Sequence, residues 1–152
     1  MISYGKQSIN KSDIKAVSKV LKSEFITQGN TTAKFENYLA KFFKARSCTV
    51  VSNGTAALDL VSKVLKWKKN DLIVTTPISF IASSNCILKQ GANPYFIDID
   101  PQTYTIDPNK IEDKLKKDIS FRKKIKAVIA VDYAGHPCDW ESLKYLSKKY
   151  NF

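Results

Sequence analysis

Thr49-Val-Val-Ser-Asn-Gly-Thr-Ala-Ala-Leu58 decides the fold. A β-branched apolar run stops at Ser52-Asn-Gly-Thr55. An apolar pattern at helical spacing then continues through Leu58, Leu60, Val61, Val64 and Leu65. The stretch predicts a strand over 48–51, a tight turn of small residues and a helix over 55–65. A helix start leaves backbone N–H groups unpaired and carries partial positive charge. Gly54 lets a ligand approach the backbone, and Ser52, Asn53 and Thr55 add short polar side chains. On these residues alone two readings stand. One is an ordinary capped βα turn; the other is a phosphate cradle, favoured by roughly 0.3–2 kcal/mol from the dipole.

Working outward, the same alternation of signals fills the chain. Upstream, Ile14, Val17, Val20 and Leu21 sit at helical spacing behind Asn10 or Ser12 as caps. A turn follows through Thr27-Gln-Gly29, and a second helix carries Phe35, Leu39, Phe42 and Phe43 on one face. Downstream, a strand over 72–75 runs into Pro77, and a helix over 80–89 carries Ile81, Ile87 and Leu88. A strand over 94–97 precedes the acidic turn Asp98-Ile-Asp-Pro101 and a short helix near 108–116 carrying Ile111 and Leu115. Ser120-Phe-Arg-Lys-Lys124 reads as a solvated basic loop. A strand over 127–131, a loop over 132–138 and a last helix over 139–150 with Trp140, Leu143 and Leu146 complete the pass.

Four short apolar strands separated by helices predict βαβ units, hence an α/β fold with a largely parallel sheet covered on both faces. Ligands of such folds bind beyond the carboxyl ends of the strands. Segments 52–55, 76–80 and 132–137 fall there. Within 76–80, Pro77 ends its strand and Phe80 follows; its ring either caps the core or stacks on a flat ligand. Tyr4 and the segment Glu24-Phe-Ile-Thr27 lie outside the βα repeat, where they either pack the N-terminal helices or reach toward a site or a partner chain.

Composition narrows the classes. A chain of 152 residues is one domain's worth. Its start has no apolar signal-peptide core, and no apolar run is long enough to span a membrane. Cys48, Cys86, Cys138 and the single His136 lack metal-ligand spacing, and a reducing cytoplasm fits the cysteines. The net charge of +11 raises nucleic acid as a partner. Against it, Arg46 and Arg122 are the only arginines, and the lysines are spread along helix faces. The glycine-rich dinucleotide fingerprint, the P-loop and the nucleophile elbow are all absent. His136, between Gly135 and Pro137, reads as a loop residue.

Taken in order, the segments resemble the pyridoxal-phosphate-dependent sugar aminotransferases of the DegT/DnrJ/StrS family. The resemblance is carried by Ile26-Thr-Gln-Gly29 with Phe35-Glu36, Ser52-Asn-Gly-Thr-Ala-Ala-Leu58, Thr75-Thr-Pro-Ile-Ser-Phe80, Phe96-Ile-Asp-Ile-Asp100 and Val131-Asp-Tyr-Ala-Gly135. The third and fifth pieces are nearest a branch acting on the pseudaminic acid route. The resemblance implies an incomplete large domain of a fold-type-I transferase over 47–152, an αβα sandwich, preceded by an N-terminal arm and helices over 1–46. It implies pyridoxal 5'-phosphate as cofactor, its phosphate held by Gly54 and Thr55 and its ring stacked on Phe80. Tyr4, Glu24, Phe25, Ile26, Thr27 and Asn53 would line the sugar-nucleotide site. The implied reaction moves an amino group from glutamate to a UDP-linked 4-keto-6-deoxy sugar by Schiff-base exchange on a lysine, with sites built between the subunits of a homodimer. The aspartate that pairs with the pyridine nitrogen and the Schiff-base lysine would both fall after Phe152, so this chain is expected to be inactive alone. Residues 48–51 would have no neighbouring strand, while the other three strands could pair together. Two other classes are a phosphorylated-ligand-binding module without catalysis and one half of a split enzyme.

Overall fold

The computed structural model describes residues 5–152 and divides into two compact units, 1–51 and 52–152. The first contains α1 (Lys11–Leu21) and α2 (Asn30–Phe42). Asn10 caps α1 through a reciprocal capping box. Its side chain accepts from the Ser12 and Asp13 N–H groups, and the Asp13 carboxylate accepts from the Asn10 N–H at 2.8 Å. Neither helix contains a buried residue, so the stripes Ile14, Val17, Leu21 and Phe35, Phe42, Phe43 all face outward.

The second unit runs α3 (Gly54–Val64), β1 (Leu72–Thr75), α4 (Ala82–Leu88), β2 (Asn93–Phe96), α5 (Pro108–Lys117), α6 (Ile119–Lys124), β3 (Ile125–Val128), a 3₁₀ turn (Tyr133–Gly135) and α7 (Trp140–Tyr150). The strands form a parallel sheet in the order β2-β1-β3, with Val74 opposite both Tyr95 and Val128. Side-chain alternation sends Val74, Val128 and Ala130 to one face and Ile73, Ala127 and Ile129 to the other. The first face is covered by α5, α6 and α7 through Ile111, Leu115, Phe121, Leu143 and Leu146. The second is covered by α4 with Cys86 and Ile87, by Trp67, and by Leu58 of α3. This is the αβα layering and the parallel pairing of three strands that the sequence predicts.

Two expectations fail. Residues 48–51 are not a strand among the described residues. No described strand pairs with them, in line with the expectation that they would lack a neighbour, and the Val50 N–H is satisfied instead by the Glu36 Oε1 at 2.9 Å. The 120–124 segment is not a loop but helix α6. Asp118 caps it by accepting from the Phe121 N–H at 2.9 Å, and Phe121 is buried against Tyr95.

The α5–α7 contact carries a charge cluster. Glu112 accepts from Lys149 at 2.8 Å and pairs with Lys116 at 3.0 Å. The hydrogen bond from Lys149, then that from Lys116, holds the Glu112 carboxyl at about 2, against an ordinary 4.5. A carboxyl depressed on folding stabilises the fold fully above its unfolded value, and the contribution is lost as pH falls through the folded one. Glu112→Gln is therefore expected to remove part of the fall in the urea midpoint between pH 4.5 and about 2. An unchanged acid profile in that variant would place the acid sensitivity elsewhere.

Candidate functional site

The topology fixes where a ligand can sit. The chain leaves β1 for β2 on one side, then crosses back to β3 on the other. The helices that follow β1 and β3 lie on opposite faces of the sheet, so a crevice opens beyond the carboxyl ends of these two strands. Segment 76–80 and loop 129–138 border it. Helix α3 precedes β1 through a short connection that contains buried Trp67, and it packs beside α4 on the same face of the sheet.

At the N-terminus of α3 the donors divide unequally. Asn53 is the N-cap, with its Oδ1 accepting from the Ala56 N–H at 2.9 Å and its carbonyl from the Ala57 N–H at 3.1 Å. The N–H groups of Gly54 and Thr55 and the Thr55 hydroxyl have no partner among the described residues, and all are exposed. A Cβ built on Gly54 meets nothing within 4 Å, so the approach is open. Two amides, one hydroxyl and a helix dipole on one turn fit a phosphate dianion.

Phe80 lies just before α4 and is 73% exposed, with no ring partner among the described residues. It therefore does not cap the core, and its face is free for a flat ring. Ahead of it, the Ser79 hydroxyl donates to the Thr76 carbonyl at 3.3 Å. A cleft of about 250 Å³ beside it is lined by Thr76, Pro77, Ser79, Ile81, Ser84 and Phe96. Helices α3 and α4 are tied by the Lys89–Asp59 ion pair, which links the helix that presents the turn to the helix that follows Phe80.

Sequence reading passed over the construction of loop 129–138. The Ile129 N–H donates to the Val74 carbonyl at 2.8 Å, and the Thr75 hydroxyl to the Ile129 carbonyl at 3.2 Å, seating the loop on β1. Asp132 then clasps the loop by accepting from the Cys138 N–H at 2.9 Å, which holds its carboxyl below the ordinary range. Burial first, and the Asp132 carboxylate second, push the Cys138 thiol up to about 11, so it is an inert packing group. Tyr133 meets Tyr104 ring to ring at 6.4 Å, and His136 is exposed beside them. The one signal for the clasp was an Asp six residues before a Cys, which has no general meaning in sequence.

The remaining predicted site residues fall outside the second unit's sequence. Glu24, Phe25, Ile26 and Thr27 occupy the exposed connection between α1 and α2 in the first unit. Tyr4 falls outside the described residues. Among those residues no cluster of acidic, histidine and cysteine side chains could hold a metal, and no helix is long and apolar enough to cross a membrane.

The sequence matches the DegT/DnrJ/EryC1/StrS aminotransferase family over residues 7–152. The chain belongs to that family. Among family relatives, it is 36% identical to the UDP-4-amino-4,6-dideoxy-N-acetyl-beta-L-altrosamine transaminase of Campylobacter jejuni, over 99% of this chain and 39% of that enzyme. It superposes with a TM-score of 0.86 on Helicobacter pylori PseC, an aminotransferase of pseudoaminic acid biosynthesis, at 32% identity, covering 99% of this chain and 39% of that one. A sugar aminotransferase of Streptococcus pneumoniae, Spr1654, solved in its PLP form, gives a TM-score of 0.87 at 28% identity over 99% of this chain and 37% of that one. The chain thus spans well under half the length of the family members it matches.

Proposed function

We propose that this chain is the N-terminal part of a pyridoxal-phosphate-dependent aminotransferase that transfers an amino group from glutamate to a UDP-linked 4-keto-6-deoxy sugar, in cytoplasmic surface-glycan synthesis of the pseudaminic acid type. The observation that supports the reading is the pair of unpartnered amides at Gly54 and Thr55 at the start of α3, in a chain of this family. When bound, the cofactor supplies an electron sink conjugated to the carbon that gains or loses the amino group. The residues of this chain bind and orient. Gly54 and Thr55 donate to the phosphate, and Asn53 keeps the turn closed by capping α3. Phe80 presents its exposed face to the pyridine ring. Tyr4, Glu24, Phe25, Ile26, Thr27 and Asn53 line the sugar-nucleotide path in the assembled homodimer. On this reading the 152-residue chain by itself is inactive, because none of its residues is assigned the lysine or the carboxylate role.

The reading is tested by comparing pyridoxal 5'-phosphate with pyridoxal as ligands of the chain in equilibrium dialysis. The phosphate ester is expected to bind more tightly, and Thr55→Val to cost it about tenfold or more, the value of one hydrogen bond to a charged group. Equal binding of the two compounds, or an indifferent Thr55→Val, would refute the phosphate role.

A further inference from the structure

The pair Phe35-Glu36 stands out in the sequence, and the proposed chemistry gives Glu36 no task. Its carboxylate is half-buried and reaches far along the chain: the Oε1 accepts from the Val50 N–H at 2.9 Å, 14 residues on. In a chain with 25 lysines and arginines, it forms an ion pair with none of them among the described residues. Its charge is spent on one backbone amide, and a hydrogen bond to an ionised acceptor is roughly twice as strong as a neutral one. The backbone between the two residues is shaped for this closure. Helix α2 ends at Phe42, and Lys44 takes a left-handed conformation at φ 52. The Ala45 N–H then donates to the Ala40 carbonyl at 2.8 Å, which turns the chain out of the helix. Residues 46–51 make no other hydrogen bond and pair with no strand among the described residues.

That single tie stands at the entrance to the Gly54–Thr55 turn. Val50 precedes Ser52 by two residues and Asn53, the N-cap of α3, by three. Asn53 must keep an extended backbone, at φ -167 and ψ 169, for its Oδ1 to hold the Ala56 N–H and leave the Gly54 and Thr55 amides for a ligand. With 46–51 untied, these entry residues would sample many conformations, and ordering them again on binding costs affinity. A direct electrostatic role for Glu36 has the wrong sign, because a carboxylate repels a phosphate dianion. We propose that Glu36 is a positioning residue for the cofactor phosphate: by holding the Val50 amide, it fixes the stretch of chain that leads into the Gly54 and Thr55 donors. The inference rests on the reading of that turn as the phosphate end of the site. Glu36 acts along the chain, through the residues that join Val50 to Asn53.

Two variants separate the hydrogen bond from the charge. Glu36→Gln keeps an acceptor oxygen and loses the charge. Glu36→Ala loses both, and alanine is the best helix former, so α2 itself is not weakened. Each is compared with the parent chain in equilibrium dialysis against pyridoxal 5'-phosphate and against pyridoxal. Glu36→Ala is expected to weaken pyridoxal 5'-phosphate about tenfold and to leave pyridoxal within about twofold, whereas Glu36→Gln binds pyridoxal 5'-phosphate at least as tightly as the parent. By NMR, the Val50 amide is expected to exchange about tenfold faster in Glu36→Ala and unchanged in Glu36→Gln, with the Gly54 and Thr55 resonances moved only in the former. An indifferent Glu36→Ala, equal losses for the two compounds, or a Glu36→Gln as weak as Glu36→Ala would overturn the proposal. A parent chain that binds the two compounds alike would fail the phosphate reading instead. Gly54 and Thr55 resonances that still move in Glu36→Ala would then leave the clamp standing, and unmoved ones would overturn it.

Discussion

Mixed with pyridoxal 5'-phosphate, glutamate and a UDP-linked 4-keto-6-deoxy sugar, the 152-residue chain is expected to give no detectable turnover. On the proposed reading the effect is all-or-none, because the lysine and the carboxylate that amino transfer needs act on bonds, not on affinity. Amino transfer needs a lysine to exchange with the substrate amine and a carboxylate to keep the pyridine nitrogen protonated. The resemblance to the family implies a Schiff-base lysine in an S-F-x-x-x-K context, which Ser120-Phe-Arg-Lys-Lys124 imitates superficially. Its spacing would put Ile125, a buried residue at the start of β3, at the lysine position. Its lysines lie instead in the exposed last turn of α6, on a helix that precedes its strand. Borohydride treatment of the chain with cofactor is accordingly expected to leave no single lysine modified in full yield. Measurable product from the chain alone, or one lysine trapped quantitatively, would show that a residue in this sequence does the work.

The second large effect is on stability. Ile111→Ala is expected to cost about 2–5 kcal/mol in urea unfolding followed by tryptophan fluorescence, while Val64→Ala is expected to stay within about 0.5 kcal/mol. Ile111 is 0% exposed and packs in the core between α5, α6, α7 and the sheet. Deleting three of its carbons there leaves a cavity that the layers cannot close. Val64 is equally apolar but 68% exposed on α3, so its truncation removes little buried surface. Since ordinary domains hold only about 5–15 kcal/mol, the first substitution takes a large share of the fold's stability. Equal effects of the two would mean that the outer face of α3 is covered when the chain folds, and that the layering is incomplete as described.

These cases show what was legible in the sequence. The three paired strands are short apolar runs, and their pattern finds 72–75 and 94–97 to within one residue, whereas 127–131 is displaced from Ile125–Val128 by up to three. Asp107 before Pro108 marks the start of α5 because both residues act locally, one as cap and the other with its φ preset. Residues 48–51 were misread because a strand exists only through its neighbour, and apolar β-branched residues say nothing about who that neighbour is. Residues 120–124 were misread because four exposed polar residues outweighed one buried Phe121. The Asp118 cap three residues earlier was the overlooked signal. At the site, the Gly54–Thr55 turn was readable because a helix N-terminus announces its donors. The Asp132–Cys138 clasp was not, because its bond closes across six residues of irregular backbone.

The phosphate role of the Gly54–Thr55 turn is tested most directly by one NMR titration of the isotope-labelled chain with pyridoxal 5'-phosphate. The Gly54 and Thr55 amides, which have no partner among the described residues, are predicted to show the largest saturable shifts and to return when inorganic phosphate is added in excess. Saturable shifts centred on any other helix start, or none at Gly54 and Thr55 up to millimolar cofactor, would contradict the assignment of this turn as the phosphate end of the site.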